Sequence, residues 1–223
     1  MKLAYIRRMK VMISKGLNAM FDELLEQRTD EWFNQRLGRF TASRFGDLMT
    51  NSRKKGVELS ATAMSYIYEK AAEKLTGERN EFTSTAMEWG NDNEPICKAY
   101  YEELRCCKIE EMPFVLINEY SGASPDGMVD GENIEIKCPY NTTNHLKTVF
   151  EDYIDPKYMW QMQGQMMATG AIVCRFVSFD PRIEDERFRL AEIRVEADFE
   201  MQEKLRERLA LANETLSNLI EKN

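Results

Sequence analysis

The stretch Asn133-Ile-Glu-Ile-Lys-Cys138 alternates apolar and polar residues without a break, and this feature limits the possible fold more sharply than any other. A β-strand turns successive side chains to opposite faces, so Ile134 and Ile136 point toward a core while Glu135 and Lys137 stand together on the other face. Asp126, nine residues before Glu135, lies in Ser124-Pro-Asp-Gly127, a turn feeding this strand. Hairpin geometry can return it beside Glu135, so that two carboxylates face one cavity.

Hard oxygen ligands of this kind suit Mg²⁺, which prefers a few carboxylates plus waters and phosphate oxygens to a full protein cage. Zinc would require His or Cys, and the pattern offers neither. Lys137 can orient an attacking water and stabilise its hydroxide, while the metal lowers that water's pKa and offsets charge at phosphorus. The competing reading is a chance acid, acid, lysine pattern with Glu135 and Lys137 exposed on an edge strand.

Around this strand the hydrophobic period switches repeatedly. Ser60 to Leu75 places Met64, Ile67, Ala71 and Leu75 at helical spacing, with Ser60 as N-cap and Gly77 as C-cap. A second helix is expected from about Thr85 to Arg105, where Pro95 either kinks it or opens its main part. Thr41-Ala-Ser43 reads as a cap before a short helix, and Arg53-Lys54-Lys55-Gly56 as an exposed basic loop. Strands are expected at Phe114–Ile117, Ile172–Phe179 and Phe188–Val195, and helices from Pro156 through Gly170 and from Phe199 to Ile220. The order predicts an α/β fold with a central mixed sheet flanked by helices. With no repeat or linker, residues 1–223 read as a single domain, and residues 1–20 as a basic N-terminal extension without an assigned role.

The net charge of −8 argues against a nucleic-acid partner until its distribution is considered. Residues 1–56 carry 12 Lys and Arg against 6 Asp and Glu, whereas residues 57–181 carry 10 against 21. An acidic middle is what carboxylates gathered around divalent cations would produce, although a solvated acidic surface also accounts for part of it. The five cysteines form no C-x-x-C pair and read as free thiols in a reducing compartment. The absence of an apolar membrane span and of a signal-peptide block leads us to expect a cytoplasmic protein with no membrane partner.

Ser124-Pro-Asp-Gly followed by Ile134-Glu-Ile-Lys-Cys-Pro139 resembles the P-D…(D/E)-x-K signature of restriction-endonuclease-like nucleases, in particular the lambda exonuclease and YqaJ viral recombinase family. Four further blocks agree in order, over roughly residues 28–182: Trp32-Phe-Asn-Gln-Arg-Leu-Gly38 with Thr41-Ala-Ser43, Glu88-Trp-Gly-Asn-Asp-Asn-Glu94, Tyr158-Met-Trp-Gln-Met-Gln163 and Phe179-Asp-Pro-Arg182. The resemblance implies metal ligands at Asp126, Glu135, the Ile136 carbonyl and Glu94, which would hold two Mg²⁺ ions with Mn²⁺ as a substitute. It makes Lys137 the catalytic lysine and places Gln161 beside the site, where a plain polar position on a Met-rich core helix is the alternative. Arg36 and Ser43 match a pocket for a 5′-terminal phosphate, with helix capping as the other role for Ser43. His145 is given no role and is expected at the surface. The function implied is 5′-to-3′ resection of double-stranded DNA from 5′-phosphorylated ends, by a homotrimer working with a single-strand annealing protein in a bacterial host, with a phage or prophage origin. An endonuclease of the same fold and a catalytically silent DNA-end-binding module are the rival readings.

Overall fold

The computed structural model describes residues 27–79 and 83–221, so the basic stretch 1–20 lies outside the described residues. The elements in chain order are α1 (Asp30–Arg36), β1 (Phe40–Thr41), a 3₁₀ turn (Ala42–Arg44), α2 (Phe45–Leu48), α3 (Ala61–Thr76), α4 (Thr85–Arg105), β2 (Val115–Asn118), β3 (Ser121–Ala123), β4 (Gly127–Val129), β5 (Glu132–Lys137), α5 (Thr142–Glu151), α6 (Pro156–Thr169), β6 (Val173–Phe179), α7 (Glu186–Arg189), β7 (Leu190–Glu196) and α8 (Phe199–Glu221).

The strands divide into a sheet of order β4-β5-β6-β7, in which only β5 and β6 run parallel, and a smaller sheet of order β1-β3-β2. A parallel pair cannot be joined by a tight turn, and the crossover from β5 to β6 carries α5 and α6. Helix α6 touches α2, the 3₁₀ turn and α8 as well as strands of both sheets. Its residues Gln161 through Met166 are all buried. Gly164 permits the closest approach, because a Cβ there would come within 2.4 Å of the Phe45 ring.

Local signals account for most helix ends. Ser60 accepts from the Ala63 amide and Gly77, with φ of 72°, closes α3, as the sequence predicts. Helix α4 runs unbroken through Pro95, whose ring removes the bond to the Asn91 carbonyl; both residues are exposed, so water can take that carbonyl instead.

Several details depart from the sequence reading. Helix α5 was not expected, since Leu146, Val149 and Phe150 are too few to set a period; it starts on Asn141, whose side chain accepts from the Thr143 amide. Strands β3 and β4 are too short to show alternation. The strand expected from Phe188 begins at Leu190, because Phe188 belongs to α7.

His145 is corrected outright: it is fully buried, with Nδ1 2.8 Å from Ser178 Oγ and Nε2 2.7 Å from the Phe188 carbonyl oxygen. The polar neighbours of Asn144-His145 suggest a surface position, yet α5 lies against β6 and β7 and turns this side chain inward. Burial lowers the His145 pKa, partly opposed by the Phe188 carbonyl and Asp180. The unfolded chain therefore takes up a proton near pH ~6.5 before the folded one does. His145 should cost nothing above that pH and should destabilise the fold as pH falls from there through its lowered folded pKa. Urea midpoints measured between pH 7.5 and 5 should fall more steeply for the wild type than for His145→Gln.

Candidate active site

The hairpin β4–β5 builds the centre of the site. Asp130 and Gly131 both have positive φ, 54° and 79°, as a two-residue hairpin turn of the type that follows strand twist requires. The register set by this turn pairs Gly127 with Ile134, and the Asp126 amide donates to the Ile134 carbonyl at 3.2 Å. Asp126 Oδ2 in turn accepts from the Ile136 amide at 2.7 Å. Gly127 is needed beside it, because a Cβ there would meet Ile109 Cγ2 at 2.2 Å and the Glu110 carbonyl at 2.8 Å.

On the adjoining strand Ile134 and Ile136 enter the core, and Glu135 is fully buried on the opposite face. Its Oε1 accepts from Gln161 Nε2 at 2.6 Å and is paired with Lys137 Nζ, while Gln165 Nε2 donates to Oε2. Gln161 and Gln165 lie one turn apart on α6, so a single helix face grips both carboxylate oxygens. Sequence reading found Gln161 but not Gln165; the i, i+4 repeat of glutamine was the available signal.

The charges are strongly coupled. Burial raises the Asp126 carboxyl well above its ordinary range, and Glu135 and Glu94 add to this while Lys137 and the Ile136 amide oppose it. Burial alone would lower the Lys137 pKa, but the carboxylates of Glu135 and Asp126 outweigh it, so the net shift is upward and the amine keeps its proton. Asp126, Ile136, Lys137 and Gln161 line an open cleft of about 1070 Å³, which also takes in Glu94, Arg36 and Ser43. Every site residue expected from the sequence except Glu135 thus borders one space, and Glu135 lies directly behind Gln161 and Lys137.

Glu94 has both oxygens occupied: Oε2 accepts from Arg28 Nη2 at 2.6 Å and Oε1 from Lys98 Nζ at 3.1 Å. Among the described residues no three His, Cys, Asp or Glu side chains converge as a metal cage in this arrangement. The donor set nevertheless fits a hard divalent cation. It offers carboxylates at Asp126, Glu135 and Glu94, with Ile136 at the cleft wall, and an added positive charge would offset both the burial that chiefly raises Asp126 and the repulsion from Glu135 and Glu94 that adds to it.

Arg36 sits in the same cleft, its guanidinium 4.1 Å from the Trp32 ring centroid and donating to Ser124 Oγ at 3.2 Å. Burial pulls its pKa down to about 10, against the opposing effects of Tyr66 and Glu73, so it remains cationic at neutral pH. Trp32 Nε1 donates to the same Ser124 oxygen at 3.0 Å. Ser43 is exposed, 3.4 Å from Thr41 Oγ1, and caps neither the 3₁₀ turn nor α2, which removes the capping explanation. Ser124 was not assigned a role from sequence, although it stands in the Ser-Pro-Asp-Gly turn.

The Phe179-Asp-Pro-Arg182 block has a positioning role. Asp180 is fully buried and accepts from Arg182 and Thr142, while Arg182 also donates to the Pro139 and Tyr140 carbonyls. The Arg182 guanidinium lies 4.3 Å from the Trp89 ring centroid. One arginine therefore ties the segment after Lys137 to the first turns of α4, the helix that carries Glu94.

A family model described as the YqaJ-like viral recombinase domain matches residues 31–172. The chain belongs to this family. It is 35% identical to LHK-Exo solved in complex with dAMP, with a TM-score of 0.79 over 87% of this chain and 95% of that one. A second structure, described as an alkaline exonuclease (LHK-Exo) from Laribacter hongkongensis, matches at 34% identity and the same TM-score of 0.79, over 87% of this chain and 95% of that one. A phage-related exonuclease from Haemophilus somnus 129PT shares the fold, at 18% identity and a TM-score of 0.69, over 82% of this chain and 96% of that one. No curated protein matches the sequence significantly. The fold is restriction-endonuclease-like, with mixed sheets flanked by helices.

Replacing Gln165 by Leu leaves Glu135 Oε2 without its donor in a fully buried position. We expect a loss of about 1–3 kcal/mol in unfolding free energy, read from urea titrations in EDTA.

Proposed function

We propose that this YqaJ-family protein is a Mg²⁺-dependent exonuclease that resects double-stranded DNA from 5′-phosphorylated ends in the 5′-to-3′ direction during phage-type recombination. The observation that carries the reading is the Asp126, Glu135 and Lys137 set, locked by the β4–β5 hairpin and α6 at a cleft that also holds the half-buried Arg36. Its similarity to LHK-Exo, solved with the mononucleotide dAMP, supports a substrate made of nucleotides.

Asp126, Glu135, Glu94 and the Ile136 carbonyl would hold the divalent ions, with Mn²⁺ able to replace Mg²⁺. When bound, such ions activate water and offset charge on the transferring phosphoryl group. Lys137 holds its proton at Nζ because of its two carboxylate neighbours, so it serves as a cation and hydrogen-bond donor to the attacking oxygen and not as a general base. Gln161 fixes Glu135 from the cleft side, and Arg36 with Ser124 and Ser43 presents donors to a terminal phosphate, where a guanidinium fork is well matched to its oxygens. The same reading includes assembly as a homotrimer around DNA and cooperation with a single-strand annealing protein.

Linear duplexes labelled at either end, with and without a 5′-phosphate, should be incubated with Mg²⁺ or EDTA beside covalently closed plasmid. The expected result is metal-dependent release of mononucleotides from 5′-phosphorylated ends alone. Nicking of the closed circle would indicate an endonuclease instead, and no cleavage in any lane a DNA-end-binding module. Lys137→Ala should lose at least about 100-fold in turnover, since removing a charge-stabilising donor costs catalysis on that order. Its urea midpoint should fall as well because the buried Glu135 loses its paired cation, so turnover is compared in urea-free buffer with folding checked by circular dichroism. Wild-type turnover in this variant would exclude the assigned role.

A further inference from the structure

The segment just before α1 holds an unusual arrangement. Arg28 has φ of 72°, a left-handed conformation that non-glycine residues adopt at a cost of roughly 1–3 kcal/mol when the surroundings impose it. The surroundings here do impose it. On one side Gln27 Nε2 donates to the Met112 and Pro125 carbonyls, both at 2.8 Å, which fastens the chain to the residue preceding Asp126. On the other side Thr29 Oγ1 accepts from the Trp32 amide at 3.3 Å and fixes the start of α1. Held between these anchors, Arg28 sends its guanidinium into the cleft and onto Glu94 Oε2.

Glu94 would have a full positive partner even without Arg28, because Lys98 lies one turn further along α4 and pairs with Oε1. A second cation, carried by a strained residue from a different part of the chain, is more than the stability of α4 requires. An exposed ion pair of this kind contributes little to folding, whereas a cation on the outer carboxylate of a metal-binding set competes directly with the ion.

We propose that Arg28 is a built-in counter-cation for Glu94: it occupies the carboxylate before a divalent ion binds, gives way to that ion, and is thereby released to contact a DNA phosphate at the cleft. The inference rests on the divalent-ion reading of Glu94 given above. It makes ion uptake and DNA contact a linked exchange, in which one guanidinium has two anionic partners and can engage only one at a time. Arg suits this exchange, since its fork binds carboxylate and phosphate in the same way.

The experiment compares wild type, Arg28→Ala and Arg28→Gly, the last because glycine adopts a φ of 72° without strain and so preserves the fold. Mn²⁺ binding is measured by titration calorimetry on metal-free protein without DNA, and DNA binding by fluorescence anisotropy with a 5′-phosphorylated duplex, in Ca²⁺ and separately in EDTA. Both variants should bind Mn²⁺ about three- to tenfold more tightly than wild type, as expected for removing one nearby positive charge at a partly solvated site. Both should bind DNA more weakly than wild type in Ca²⁺ and equally well in EDTA. Unchanged or weaker Mn²⁺ binding in the variants overturns the exchange, as does a DNA defect that is the same with and without the ion. If wild type itself takes up no Mn²⁺, the metal reading of the site fails along with it, an outcome distinct from normal uptake that is insensitive to Arg28.

Discussion

The grip of α6 on Glu135 is the interaction on which the rest of this structure depends. A carboxylate with no solvent exposure is costly unless its oxygens are satisfied, and here Gln161, Gln165 and Lys137 satisfy them. Delivering two glutamines to one buried acid requires α6 to be buried over the same turns, which is why it lies against both sheets with Gly164 pressed on the Phe45 ring. The parallel pairing of β5 with β6 follows, since α6 belongs to the crossover between them.

Around this anchor the positive and negative groups are arranged in opposition. Asp126, Glu135 and Glu94 repel one another, and Lys137, Arg28 and Lys98 partly neutralise them. The carboxylates and cations of the site thus offset one another beside one cleft. Arg36, cationic despite burial, extends the same field to the part of the cleft lined by Trp32 and Ser124.

Positioning of the more distant groups relies on small polar devices. The Asp180–Arg182 pair joins the segment after Lys137 to Trp89 at the start of α4, and Gln27 ties the entry to α1 onto Pro125. Each links elements far apart in sequence, so the geometry of the acidic groups is shared between the β4–β5 hairpin and the helices around it.

Sequence alone determined what a short-range period can encode. Strict alternation in Asn133–Cys138 put Glu135 and Lys137 on one face, the Ser-Pro-Asp-Gly turn brought Asp126 back beside them, and Ser60 and Gly77 marked the ends of α3. The motif blocks identified the family because their residue types and order survive without knowledge of contacts. Only the tertiary structure decided the burial of His145, the role of Gln165, the placement of Ser124 against Arg36 and the capture of Glu94 by Arg28. Each of those depends on which surfaces meet across long stretches of chain. Local pattern carries no record of that choice, because it is made where α5, α6 and the segment before α1 meet distant elements and not by any property of the residues near each position.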